Sequence, residues 1–183
     1  MVGFRCVLGD RSVRKTTRHL EQRTLAQLSP DELARREAAR RALKFPPVCL
    51  TGLQALSVAN GFASRSAKSG YAIWACAIIP EHTHLVIGRH TFKVEQMANL
   101  LKGAATTQLI NDGRHPLAEF ATDGKTPPGL WADKRWKVYL DSEQQIENAI
   151  AYVLDNPVKE GKNVQTRKWV TPFRGLEGGT YTV

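Results

Sequence analysis

An apolar run interrupted once by a proline constrains this chain more than anything else in it. Tyr71-Ala-Ile-Trp-Ala-Cys-Ala-Ile-Ile79 is continuous, β-branched and aromatic; Pro80-Glu81 punctuates it, His82-Thr-His-Leu-Val-Ile87 resumes it, and Gly88 closes it. Two short apolar runs across a tight Pro-containing turn predict a β-hairpin. Residues two apart on a strand share a face. His82, His84 and Val86 therefore point one way, and Thr83, Leu85 and Ile87 point the other, onto a core. Two neighbouring imidazoles on a rigid strand can be presented as a pair of metal ligands. The same spacing also suits half-exposed polar residues on an antiparallel sheet, and a His-x-His alone does not separate the two readings.

The chain has 183 residues, enough for one domain with a real core. No stretch approaches the roughly 20 apolar residues that span a bilayer, and the first residues lack a secretory pattern. A cytoplasmic protein is the expectation. Cys6, Cys49 and Cys76 are far apart and odd in number, which predicts neither a disulfide framework nor a structural zinc site. The net charge of +9 favours a polyanionic partner, because neutralising phosphates releases counterions. It says nothing about sequence specificity.

Residues 1–28 are basic and poorly periodic, with Arg11, Arg14, Lys15, Arg18 and Arg23; Phe4 to Leu8 reads as a short strand. Residues 29–70 are helical. Ser29-Pro-Asp-Glu32 opens a helix running to about Lys44, and Thr51-Gly-Leu-Gln54 opens another that ends at Gly70, both by the capping-box logic. A third helix runs from Thr91 to about Ile110, with Met97 as core filler, Lys102 beside its apolar stripe and Gly103 allowing close backbone approach. His115 reads as a solvent-facing loop residue, and Trp131 to Leu140 as a strand near its end, with Trp136, Val138 and Leu140 on one face and Lys137 and Tyr139 on the other.

Asp141 to Asn156 is the last clear helix. Ser142 with Gln145 caps it and Pro157 stops it. Ile146, Ala149, Ile150, Val153 and Leu154 form its apolar stripe. Tyr152 lies on the flank of that stripe, with Asn156 one turn further on the same flank, so both can face a common site. Taken singly, Tyr152 reads as an amphipathic packing residue and Asn156 as a helix cap before proline.

Taken together, Ile79-Pro-Glu-His-Thr-His-Leu-Val86, then Leu101-Lys-Gly103, then Ala151-Tyr-Val-Leu-Asp-Asn-Pro-Val-Lys159 resemble the single-tyrosine transposases of the HUH endonuclease superfamily. The closer resemblance is to the REP-associated tyrosine transposases. It covers about residues 70 to 165, with residues 71–165 as the catalytic core of one transposase-like domain over 1–183 and 166–183 as a tail. The resemblance implies an α+β fold: a ferredoxin-like or RRM-like antiparallel sheet with helices packed on one face, plus extra N-terminal helices. It also implies a strand at the sheet centre early in the chain, for which Phe4 to Leu8 is the one candidate.

The resemblance further implies a partner, single-stranded DNA next to a hairpin, and assigns roles. Tyr152 matches the nucleophile. His82, His84 and Asn156 match the ligands of a Mg²⁺ or Mn²⁺ ion. The chemistry suits these residue types. A tyrosine oxygen can attack phosphorus and hold the 5′ end covalently, and a 3′-hydroxyl can later reverse the step. Hard cations prefer oxygen, so Mn²⁺ fits two imidazoles somewhat better than Mg²⁺ does. Phenols titrate near about 10, so the tyrosine needs help with its proton, from water or the metal. Lys102, Lys134, Arg135, Lys137, Lys159 and Lys162 are expected phosphate contacts as a group. The competing reading is a catalytically inactive or domesticated single-strand-binding module. Whether the chain forms a homodimer, and whether the tyrosine serves its own subunit, stays open.

Overall fold

The computed structural model describes residues 2–7, 29–41, 43–122, 124, 126–132 and 136–176. The basic residues between Arg11 and Arg23, and Lys134 with Arg135, lie outside them. In chain order the elements are β1 (Val2–Val7), α1 (Pro30–Arg41), α2 (Gly52–Ser69), β2 (Ile73–Ile78), β3 (His82–Ile87), α3 (Val94–Asn111), β4 (Trp136–Tyr139) and α4 (Glu143–Lys159). The strands form one sheet in the order β2-β3-β1-β4, and every neighbouring pair is antiparallel. This is the β-α-β-β-α-β arrangement of a ferredoxin-like domain, with α1 and α2 together in the first helical position and α4 appended. Among the described residues no helix is long and apolar enough to cross a membrane.

The expected hairpin is present. β2 and β3 pair through Ala77 opposite His84 and Ile78 opposite Thr83, and the amide of Ile79 donates to the carbonyl of His82 across the turn. A β-bulge between Ile73 and Ala75 shifts the alternation of β2. Ile73, Cys76, Ile78, Leu85 and Ile87 consequently join the main core, under Phe62 of α2 and Met97 and Leu101 of α3. Trp74, Ala75, Ala77 and Val86 face the other way, where Ile146 and Val153 of α4 cover them. The antiparallel sheet with packed helices is as expected. The helices cover both faces rather than the expected one: α2 and α3 supply one, and α4 lies over the other, which is the face of the histidines.

β1 sits between β3 and β4, with Arg5 opposite His84 and Val7 opposite His82. The strand expected at Phe4 to Leu8 thus starts slightly earlier and holds the sheet centre. α1 ends at Arg41, short of the expected Lys44. α2 carries the full capping box between Thr51 and Gln54 and ends on Gly70 in the left-handed conformation, φ 70°.

Some local expectations are corrected. Close backbone approach occurs at Gly61, not Gly103. A Cβ on Gly61 would lie 2.6 Å from the Cα of Ala105, whereas one on Gly103 would meet nothing within 4 Å. His115 is buried rather than solvent-facing, and the start of the turn folds onto it: the amide of Ala118 donates to its carbonyl and that of Leu117 to its Nδ1. β4, Trp136–Tyr139, lies near the end of the Trp131 to Leu140 stretch, as expected. As an edge strand it leaves Val138 and Tyr139 exposed. α4 runs through Pro157 to Lys159 instead of stopping before it. The amides of Glu160 and Lys162 both donate to the Pro157 carbonyl and close the last turn.

Candidate active site

The site is built where the start of β3 meets the middle of α4. β3 is extended because its β-branched and apolar residues fill both faces of the sheet, so the side chains of His82 and His84 must emerge together on the α4 side. Their rings meet edge to face with centroids 4.6 Å apart. α4 docks there because Ile146 and Val153 must be buried, and Val153 brings its neighbour Tyr152 down beside the strand. The Tyr152 ring stands edge to face against His84, centroids 5.6 Å apart and planes at 88°. The phenol and both imidazoles therefore come together within one chain.

Asn156 lies one turn beyond Tyr152 on the same flank and is 7% exposed. Burial of an amide at that position is costly unless it has polar neighbours to serve. His84 is 4% exposed, while His82 is half-buried at the rim. Glu160, just past the end of α4, brings a carboxylate oxygen to 3.8 Å from Nε2 of His82. Sequence reasoning missed Glu160. Its signal was weak: it sits eight positions after Tyr152, beyond the proline at which the helix was expected to end.

The donors on this side of the sheet are two imidazoles, an amide and a carboxylate. That mixture of nitrogen and oxygen suits Mn²⁺ and, less well, Mg²⁺. Among the described residues no group of three or more His, Cys, Asp or Glu side chains is assembled to hold an ion. A metal held here would need the Asn156 amide as well as the histidines.

The cationic residues expected to contact phosphate separate into different roles. Lys159 lies at the site, its ammonium 5.5 Å from the centroid of the Tyr152 ring and 4.0 Å from the Asp155 carboxylate. Lys162 is exposed just after the turn that follows α4. Lys102 is engaged elsewhere: its Nζ donates to the carbonyl of Ala132 at 2.8 Å, and its own carbonyl accepts from the indole of Trp131. It ties the 126–132 loop to α3. Lys137 is paired with Glu95, which holds its pKa above the ordinary value. Lys134 and Arg135 are outside the described residues.

Cys76, in β2 of the hairpin, is buried. Burial pushes its thiol up to about 12, although Arg167 beside it pulls the other way.

No protein-family profile matches the chain, and no curated protein does. Among solved structures it is similar to the REP-associated tyrosine transposase bound to a REP hairpin, with a TM-score of 0.50. The match has 14% sequence identity and covers 87% of this chain and 67% of that one. At such identity the likeness is one of fold: this chain folds as that transposase does.

Proposed function

We propose that this chain cuts and rejoins single-stranded DNA, in DNA transposition, through a covalent 5′-phosphotyrosine on Tyr152. The observation that carries the reading is the cluster of the Tyr152, His84 and His82 rings, in contact on one sheet face. The shared fold with a tyrosine transposase supports it.

The chemistry is a pair of mirror-image transfers. Tyr152 Oη forms a bond to the phosphorus and gives its proton to water, while the bond from phosphorus to the 3′ oxygen breaks. That oxygen takes up a proton and leaves as a free 3′-hydroxyl. In the return step a 3′-hydroxyl attacks the phosphotyrosine, and Tyr152 recovers a proton. No bond energy is lost to hydrolysis, and no external reactant is consumed. His82, His84 and Asn156 would hold the Mg²⁺ or Mn²⁺ ion, which when bound supplies positive charge to the phosphate oxygens. The edge-on contact with His84 restricts where the Tyr152 ring can swing, which orients the oxygen for in-line attack. Lys159 adds a positive charge next to the phenol.

The test is a labelled hairpin oligonucleotide with a single-stranded extension, incubated with the protein with and without Mn²⁺. The expected result is that label on the 3′ side of the break becomes attached to the protein while label on the 5′ side is released. Binding that is steeply salt-dependent, with no attachment in either metal condition, would overturn the enzyme reading and leave a single-strand-binding module.

A further inference from the structure

A second concavity lies away from the tyrosine and histidines, at the opposite end of β3. It has a volume of about 300 Å³, and its walls include Arg89, His90, Phe92, Lys93, Glu95 and Tyr139. That is the lower end of the range for pockets that hold a small ligand, roughly 300–1,000 Å³. β3 continues three residues past His84 to Ile87, and Arg89 follows Gly88, so the two sites lie at opposite ends of the strand. They also open on different sides. Val94 and Met97, which line this pocket, belong to the core under α2 and α3, whereas Tyr152 lies over the other face.

The lining is both cationic and aromatic. Arg89 and Lys93 are exposed, and neither is ion-paired with a described residue. The single carboxylate, Glu95, is already neutralised by Lys137. Tyr139 is 55% exposed on an edge strand, with the Lys137 ammonium 5.5 Å from the centroid of its ring. Phe92 is half-buried, and it is held in place from behind: its amide donates to Nδ1 of His90 at 3.0 Å. Nε2 of His90 in turn donates to the carbonyl of Ser69 at 3.0 Å, and the His90 ring packs edge-on against Phe92 at 4.8 Å. His90 thus serves as a strut, and Phe92 is a fixed platform. Aromatic faces beside cations that have no ion pair among the described residues are the elements that bind a nucleotide unit of a single strand: the base stacks and the phosphate pairs.

We infer that this pocket binds one nucleoside phosphate of a single-stranded DNA segment, as a second anchoring point remote from the cutting site. It shares with the proposed function only the identity of the partner. Three proteins are compared: the full chain, Tyr139→Ala, and Arg89→Ala combined with Lys93→Ala. Each is titrated with a labelled single-stranded oligonucleotide over a salt series, and separately with the corresponding free deoxynucleotide. Tyr139→Ala is expected to weaken oligonucleotide binding about tenfold at every salt concentration. The double variant is expected to weaken it at low salt and to reduce the salt slope by roughly two. Photocrosslinking of an iododeoxyuridine oligonucleotide should place label on the peptide carrying Phe92 or Tyr139. Wild-type affinity and slope in both variants, with crosslinks confined to other peptides, would overturn the assignment. Binding of the free nucleotide with no effect of the variants on the oligonucleotide would overturn the DNA source. Each variant should still attach to a short oligonucleotide through Tyr152 at saturating DNA. Loss of attachment in the wild type alongside intact pocket effects would sink the proposed function and leave this inference standing.

Discussion

At the scale of single residues, Gly61 and His115 carry consequences that the sequence pattern alone did not reveal. Gly61 lets α2 and α3 cross with backbones in contact. A methyl group there would sit 2.6 Å from the Cα and 2.8 Å from the amide nitrogen of Ala105, and 2.7 Å from the carbonyl oxygen of Ala104. Those are backbone atoms and cannot rotate away. Alanine in place of glycine gains about 1 kcal/mol of helix propensity, but forcing the helices apart costs about 1–3 kcal/mol or more. Gly61→Ala is therefore expected to lower the denaturation midpoint, and an unchanged or higher midpoint would contradict the close crossing. His115 sits buried, its Nδ1 accepting from the amide of Leu117, and burial holds its pKa below the ordinary 6.5. In the unfolded chain the ring protonates first as the solution acidifies. The folded state, reluctant to charge it, therefore loses stability as pH falls below about 6.5 towards the ring's own lower value. Urea titrations between pH about 7 and about 5 should show that decline, and His115→Asn should flatten it. An equal decline in the variant would assign it to other groups.

At the scale of elements, the edges of the sheet are treated differently. β2 is sealed by the chain that follows α4. Ile78 donates its amide to Gln165 Oε1 at 3.0 Å, and Gln165 Nε2 donates to the Ile78 carbonyl at 2.7 Å, so one side chain imitates a neighbouring strand. The amide of Thr171 then donates to the carbonyl of Ile73. Gln165→Ala should expose that backbone pair. A loss of about 1–3 kcal/mol is expected, with faster amide exchange at Ile78. Exchange as slow as in the wild type would show that the amide is protected by something else. Much of this level was legible in advance. Ser29 with Glu32, Thr51 with Gln54, and Ser142 with Gln145 each announced a helix start, because capping is local chemistry. The hairpin was legible because its apolar runs are uninterrupted. What was not legible depends on contacts distant in sequence: the central position of β1, the burial of His115, the commitment of Lys102 to Ala132, and the arrival of Glu160 beside His82.

At the scale of the whole molecule, the decisive fact is that α4 returns over the sheet face opposite α2 and α3. The two imidazoles lie near the start of β3 and the phenol nearly seventy residues later. Only the docking of Ile146 and Val153 against Trp74, Ala77 and Val86 brings them together. His82, His84 and Tyr152 meet inside a single chain, so the proposed reaction requires no second copy to complete the ring cluster. The most direct measurement of that claim is to digest the denaturation-resistant product of protein and hairpin oligonucleotide and locate the attached nucleotide by mass spectrometry. The account expects it on the peptide containing Tyr152, absent from Tyr152→Phe and strongly reduced in His84→Ala, with DNA binding retained in both. Attachment at another residue, or an adduct that persists in Tyr152→Phe, would contradict it.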